Sequence, residues 1–227
     1  MKKKIFAFIF ARKNSKRIKN KNIKTINNKT LLEYSINSAK QIRVIDKIYV
    51  STDSNLMVNI AYKKKVFVIK RPKILCKDDS NELLSWKHAI DFLKMKKEKF
   101  DIFVSLPTTS PLRSKKDILK MIKTFKRTNS DLVISVTKTN RIPNYNMVKV
   151  GKSARAYLAI DKKRLKLKKE EKIYDMTTVG YVAKTKYIEK TKNLLSGKVT
   201  AVEIPRERAL DIDDNFDLRL GRLLKKK

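Results

Sequence analysis

Ile5-Phe6-Ala7-Phe8-Ile9-Phe10 is an unbroken apolar run, and the stretch that follows it, residues 11 to 22, is cationic and free of carboxylates. A run of that kind predicts a strand covered on both faces, as in parallel α/β sheets. Such sheets bind ligands beyond the C-terminal ends of their strands. The segment leaving this strand carries Arg12, Lys13, Ser15, Lys16, Arg17, Lys19, Lys21 and Asn22. Its natural partner is a polyanion, and a nucleoside triphosphate fits. A lysine-rich surface loop is the competing reading, and composition alone favours it. The order of residues along the chain decides against it.

With 227 residues, 41% of them hydrophobic, the chain is expected to form one globular domain over 1–227. The net charge of +35 would ordinarily point to nucleic acid or an anionic surface. Here the excess is spread from end to end. It falls on helix faces (Lys94, Lys96, Lys97, Lys99) and in loops (Lys162, Lys163, Lys166, Lys168, Lys169). It comes with abundant Ile and Asn, a bias that an A+T-rich genome produces by itself. There is no aromatic-basic stacking motif and no recognition-helix pattern, so nucleic acid is not the expected partner. The single Cys76 excludes an internal disulfide and fits a reducing cytosol, so a cytoplasmic location is expected. Residues 1 to 11 superficially resemble a signal peptide, but the run ends in Arg12-Lys13 without a small-residue cleavage site. A buried first strand is the better reading. No stretch approaches the roughly 18 apolar residues of a membrane span.

Strand and helix patterns then alternate. Leu31, Leu32, Ser35, Ile36 and Ala39 share a helical face. Lys47–Ser51 reads as a strand, and Ser54 as the cap of a helix through Leu56, Ile60 and Ala61. Val66–Ile69 is a third strand, ended by Arg71-Pro72. Asp79 with Glu82 resembles a capping box before Leu83, Trp86, Ile90 and Leu93. Asp101–Leu106 and Asp131–Val136 are further strands; between them Ser114 and Asp117 start a helix with Ile118, Leu119, Ile122 and Phe125 inward. The pattern predicts a Rossmann-like, doubly wound, mostly parallel α/β sheet flanked by helices, with right-handed crossovers. The rhythm breaks over about 138–175, which is expected to be an excursion from the core, a β-arm or oligomerisation element. Signals resume at Gly180–Ala183, Tyr187-Ile188 and Val199–Ile204, and a helix spans Asn215–Leu224.

Four constellations could carry chemistry. The first loop lacks both a Walker lysine motif and a Rossmann glycine fingerprint, so phosphate binding would rest on side-chain cations and backbone N–H groups. Arg12 can grip an anion in bidentate fashion, and Lys16 and Lys21 act as point charges. Arg71 sits just past a strand end, on the ligand side of the sheet; taken alone, an exposed arginine is the favoured reading. Pro107 to Arg113, with the hydroxyls of Thr109 and Ser110, follows a central strand; a rigid turn with a capping serine competes evenly with a ligand role. Asp211-Ile212-Asp213-Asp214 concentrates carboxylates in a chain with 22 acidic against 57 basic residues. In an extended segment Asp211 and Asp213 point the same way and suit one hard cation. A cap on the last helix from Asp213 or Asp214 is compatible with that. His88 reads as a packed or partly exposed helix residue rather than a catalytic base, and Cys76 as inert.

In order, these motifs are Arg12-x-x-Ser15-Lys16, Lys21-Asn22, Ser51-Thr52-Asp53, Arg71-Pro72, Thr109–Arg113 and Asp211-Ile212-Asp213. The chain thereby resembles the acylneuraminate cytidylyltransferases, or CMP-sialic acid synthetases. The resemblance covers nearly the whole chain and is weakest over the excursion. It implies a Rossmann-like, homodimeric enzyme that uses CTP and Mg²⁺ to activate a 3-deoxy-2-ulosonic acid, releasing pyrophosphate. Arg12, Lys16 and Lys21 would hold the triphosphate, with Arg12, Lys21 and Asp213 closest to the chemistry. Ser15, Asn22, Arg71, Thr109 and Ser110 would join in nucleotide binding, and Asp211 and Asp213 would hold the metal. Lys13, Arg17 and Lys19 read as background.

The chain also departs from the pattern. Many members have glycines where it has Lys13, Asn14 and Arg17, and a glutamine facing nucleotide and sugar where it has Pro107. Val179-Gly180 stands for a common asparagine-glycine. A nonulosonic acid (sialic, legionaminic or pseudaminic) is the expected acceptor, with 3-deoxy-manno-octulosonate as the close alternative. A basic nucleic-acid-binding protein and an inactive nucleotide-binding relative are the readings from other classes.

Overall fold

Strand β1 (Ile5–Phe10) is buried on both faces, as its unbroken apolar run requires. Ile5, Ala7 and Ile9 enter one core, and Phe6 and Phe8 enter the other. The computed structural model describes residues 3–77, 80–139, 141–160 and 172–225. After β1 a short hairpin of β2 (Thr25–Ile26) and β3 (Lys29–Thr30) leads into α1 (Leu31–Lys40). Thr30 and Glu33 close a capping box there, and Leu31, Leu32, Ser35, Ile36 and Ala39 are the buried face. Next come β4 (Lys47–Thr52), α2 (Asn55–Lys63), β5 (Phe67–Lys70), α3 (Glu82–Met95) and β6 (Ile102–Ser105). The chain continues through α4 (Lys115–Thr128), β7 (Leu132–Lys138), a separate hairpin of β8 (Val148–Val150) and β9 (Ala156–Leu158), and β10 (Tyr174–Lys184). It ends with α5 (Thr185–Lys190), β11 (Val199–Glu203) and α6 (Asn215–Leu224).

The main sheet runs β11-β7-β10-β6-β1-β4-β5. All neighbours pair in parallel except β10, which is antiparallel to both β6 and β7. The chain winds outward from β1 through β4 to β5, then returns to the other side of β1 as β6. That reversal opens the crevice beyond the ends of β1 and β6 where open sheets take ligands. Helices α1, α2 and α4 cover the Ile5/Ala7/Ile9 face, and α3 and α5 cover the aromatic face. The aromatic face is a stack: Phe8 and Phe103 rings lie 4.5 Å apart, and Trp86 lies 5.1 Å from Phe103.

A third, small core joins Ile18 of the first loop, Ile26, Leu31, Ile212 and Leu218. It packs the basic loop onto the C-terminal segment. Burying Ile18 and Ile212 contributes about 1.5–3 kcal/mol each, so that contact is firmly held.

Most expected elements are present, and the differences have local causes. Ser54 is the N-cap residue of α2 but makes no side-chain cap bond, and Met57 rather than Leu56 faces inward beside Ala61. Leu56 is 53% exposed, because the helix starts one residue after the cap and its inward stripe begins at Met57. Leu119 is only partly buried, with Met121 taking the deeper place. Asp79 and the lysines between 162 and 169 lie outside the described residues, and Asn81 is the observed cap of α3. The described part of the excursion contains the β8–β9 hairpin.

Candidate active site

The first loop leaves β1 with Ala11 N–H bonded to the Ser51 carbonyl at 3.0 Å, which fixes it over the end of β4. The Lys13 N–H donates to Asp53 at 2.7 Å, and the Arg12 guanidinium donates to the Lys77 carbonyl at 2.7 Å. Asn20 takes a left-handed conformation (φ 56°), one that asparagine tolerates, and the chain then turns through Lys21–Ile23. This turn sends Asn22 inward and Lys21 toward the C-terminal segment. Asn22 is buried; its amide donates to the Arg12 carbonyl at 2.8 Å and accepts from Thr108. Ser15 is half-buried and Lys16 exposed on the rim.

Arg71, just past β5, is buried. Its guanidinium bonds the Ser51 carbonyl at 3.0 Å and hydroxyl at 3.3 Å, and sits 5.4 Å from the Phe10 ring. Three strand ends are thereby tied together at the mouth of the crevice.

The loop after β6 places its groups differently from one another. Arg113 is 5% exposed and points into the protein, bonding Ser35 Oγ at 3.1 Å and the carbonyls of Pro107 and Thr178. Of its two readings, the structure supports a turn-locking residue. The Thr109 and Ser110 hydroxyls both meet the Thr178 hydroxyl, at 3.0 and 2.8 Å. Thr178 lies where β10 shifts register between Thr177 and Tyr181.

The acidic segment closes the site. Ile212 is buried, its N–H bonded to the Thr109 carbonyl at 2.8 Å and its carbonyl accepting from Lys21 Nζ at 2.8 Å. Asp211 and Asp213 flank it. Asp213 accepts Lys21 Nζ at 3.2 Å on one oxygen and Arg17 Nη1 at 2.8 Å on the other. Asp211 lies deeper, beside Thr109 and Thr178, and its Oδ1 is buried with no hydrogen-bond partner among the described residues. Burial raises its pKa and the Asp213 charge adds to that, against the lowering effect of the Thr109 and Thr178 hydroxyls and of Lys21. Asp214 caps α6, accepting from Phe216 and Asp217 N–H groups at 2.8 and 3.0 Å. The cap and the carboxylate pair therefore coexist on neighbouring residues.

Hydrogen bonds and ion pairs join Lys21 to Asp213, Ile212 to Thr109, and Asn22 to Thr108 and the Arg12 carbonyl, and tie Arg71 to the end of β4; Ser110 meets Thr178 beside Thr109, and Ser15 and Lys16 follow Arg12 on the first loop. Arg17 joins them and is not background, since it pairs with Asp213. Thr108 and Thr178 also belong to this cluster; Thr108 carried no signal beyond polarity after a strand end, and Thr178 none beyond being a threonine within a strand. Cys76 is half-buried, and burial pushes its thiol pKa up, which suits an inert residue. No group of three or more His, Cys, Asp or Glu forms a closed metal site among the described residues. An unpartnered, buried carboxylate oxygen next to a second carboxylate does fit a hard cation that takes its other ligands from substrate phosphates. Among the described residues no helix is long and apolar enough to cross a membrane.

Known proteins are similar to this chain to different extents. A post-translational flagellin modification protein B from Campylobacter coli is 31% identical over 229 residues, covering 97% of this chain and 94% of that protein. An N-acylneuraminate cytidylyltransferase from Escherichia coli O18:K1:H7 is 27% identical over 228 residues, covering 100% of this chain and 53% of that one, so the chain spans about half that relative's length. A solved structure of CMP:2-keto-3-deoxy-manno-octonic acid synthetase complexed with CTP has the same fold, with a TM-score of 0.71 at 14% identity over 97% of this chain and 98% of that one. A family model described as cytidylyltransferase matches residues 6–202. That match runs from β1 through β11 and takes in the basic loop, Arg71 and the Pro107–Arg113 loop: the chain belongs to the cytidylyltransferase family.

Proposed function

We propose that this cytidylyltransferase joins CMP from CTP to the anomeric hydroxyl of a nonulosonic acid, a 3-deoxy-2-ulosonic acid of the sialic, legionaminic or pseudaminic type. The sugar oxygen attacks the α-phosphorus, the bond to the β-phosphate oxygen breaks, and pyrophosphate leaves; the hydroxyl proton is lost. The observation that carries the reading is Lys21. Its ammonium binds Asp213 and the Ile212 carbonyl from the far end of the chain, bringing the cationic loop and the carboxylate pair to one cleft. In-line transfer of this kind needs positioning and charge neutralisation more than covalent catalysis. Arg12, Lys16 and Lys21 supply the cations for the triphosphate. Ser15, Asn22, Arg71, Thr109 and Ser110 organise the nucleotide side of the cleft.

Asp211 and Asp213 would hold Mg²⁺. When bound it would neutralise phosphate charge and lower the pKa of the attacking hydroxyl. The unpartnered Asp211 oxygen supports that assignment, while Asp213 must be shared with Arg17 and Lys21. The acylneuraminate cytidylyltransferase relative supports a nonulosonate acceptor over an octulosonate. CTP supply and a lone free cysteine fit work in the cytoplasm, and the β8–β9 arm fits a homodimer.

The test is pyrophosphate release with CTP, UTP and ATP crossed against nonulosonic and octulosonic acids, with and without Mg²⁺. Turnover is expected with CTP, Mg²⁺ and a nonulosonic acid. Turnover with 3-deoxy-manno-octulosonate alone would move the acceptor assignment, and none with any 3-deoxy-ulosonic acid would sink the proposal. Asp213→Asn is expected to fold normally and lose turnover.

A further inference from the structure

Both oxygens of Asp213 are matched by a cation, and the two cations are held differently. Lys21 is 13% exposed at its side chain and is tied a second time, to the Ile212 carbonyl at 2.8 Å. Arg17 is 67% exposed and reaches Asp213 from the rim, at 2.8 Å. Its neighbour Ile18 is buried in the small core shared with Ile212, so the backbone at this point is anchored while the guanidinium stands in solvent. Beside them the buried Oδ1 of Asp211 has no hydrogen-bond partner among the described residues. The cluster is thus nearly neutral without any ligand, but one of its two neutralising cations is loosely held.

A carboxylate oxygen gripped by a guanidinium is a poor ligand for a divalent cation, because the two positive charges compete for one lone-pair region. A guanidinium released from it has a better partner in a triphosphate, whose oxygens match its planar fork. We propose that Arg17 is a place-holding cation: it neutralises Asp213 in the unloaded enzyme, yields that oxygen to the divalent cation on loading, and turns to the triphosphate. Lys21, tied a second time to the Ile212 carbonyl, stays beside Asp213 and has its third N–H left for a phosphate. This role rests on the Asp211/Asp213 cation site proposed above, and it makes Arg17 a positioning residue that sets the order of loading.

The test uses Mn²⁺, a hard divalent cation visible by electron paramagnetic resonance, added to the full chain without nucleotide. Arg17→Gly is expected to bind Mn²⁺ about two- to fivefold more tightly than the wild type, the range an exposed ion pair is worth. That gain shrinks as salt rises, since the competing pair is screened. Calorimetry with CTP and no acceptor is expected to give weaker CTP binding to Arg17→Gly, and Arg17→Lys is expected to restore part of both effects. Wild-type Mn²⁺ affinity in Arg17→Gly, with binding still lost in Asp211→Asn, would overturn the role of Arg17 alone. Unchanged CTP affinity would overturn its move to the triphosphate. Mn²⁺ binding no tighter to the wild type than to Asp211→Asn would remove the cation site, and this inference with it.

Discussion

Thr108 Oγ1 donates to Asn22 Oδ1 at 2.5 Å, and the nitrogen of the same amide donates to the Arg12 carbonyl at 2.8 Å. One buried side chain thus ties the loop after β1 to the loop after β6 and sets where Arg12 starts. Asn22→Ala leaves a hydroxyl and a carbonyl without partners, at a cost of about 1–3 kcal/mol. The urea midpoint is expected to fall at constant m, and KM for CTP to rise more than kcat falls. Thr108→Val is expected to have a smaller effect, and the double variant to lose less than the sum. Strict additivity would show that the two loops are not coupled through this amide.

Asp117 is held by four donors. Arg208 bonds its two oxygens at 2.9 and 3.0 Å, and the Ser114 N–H and hydroxyl reach Oδ2 at 2.9 and 2.7 Å. Burial pushes this carboxyl's pKa up, but the donors outweigh it and hold it below its ordinary 3.8. A carboxylate depressed in the folded state contributes stability that is present above its unfolded pKa and lost as pH falls through the folded one. Arg208→Ala removes two donors and leaves the burial, so the folded pKa rises. Circular dichroism during acid titration is expected to show unfolding at higher pH than in the wild type, with about 1–3 kcal/mol lost at neutral pH. An acid midpoint that does not move would mean that Arg208 contributes nothing through this pair.

Periodicity and caps made the local elements legible. β1 was readable because a doubly covered strand needs an unbroken apolar run, and α4 because Ser114 and Asp117 spell their capping box. The Asn215–Leu224 helix is bounded as expected, with Asp214 as its cap. The antiparallel entry of β10 between β6 and β7 was not readable, since strand direction depends on distant partners rather than on residue pattern. Within the candidate site, the residue types that bind anions and cations stood out at strand ends. Arg17 did not, because in a chain with 57 basic residues a pairing cation looks like every other one. Thr178 was hidden for a related reason: a threonine in a strand is ordinary, and only the register shift in β10 turns it toward Thr109 and Ser110.

Gly197 lies at the opposite end of the sheet, where a Cβ would sit 2.5 Å from the Tyr187 ring. That ring cannot easily retreat. Its hydroxyl donates to the Asn193 and Leu194 carbonyls and accepts from the Gly197 N–H at 3.0 Å. Gly197→Ala is therefore expected to destabilise the fold by about 1–3 kcal/mol, the usual cost of overpacking. Thermal unfolding checks this. Because the clash is remote from the cleft, the folded variant is expected to keep its KM for CTP; a raised KM would show that the two ends of the sheet communicate.

The β8–β9 hairpin exposes Val148, Val150 and Tyr157, and Met176 of β10 is exposed as well. Val148 and Val150 lie two residues apart and so share a face, opposite Leu158 and Ala156. A free two-stranded hairpin is marginal in water, so an arm of this composition gains stability when its apolar face is covered. If a second copy covers it, light scattering after size exclusion gives a dimer mass for the wild type. Val148→Lys with Val150→Lys places two charges on that face in each copy and is expected to give a monomer with an unchanged far-ultraviolet spectrum. A monomeric wild type at all concentrations would exclude the self-associating arm, and a charged variant that stays dimeric would put the interface elsewhere on the surface.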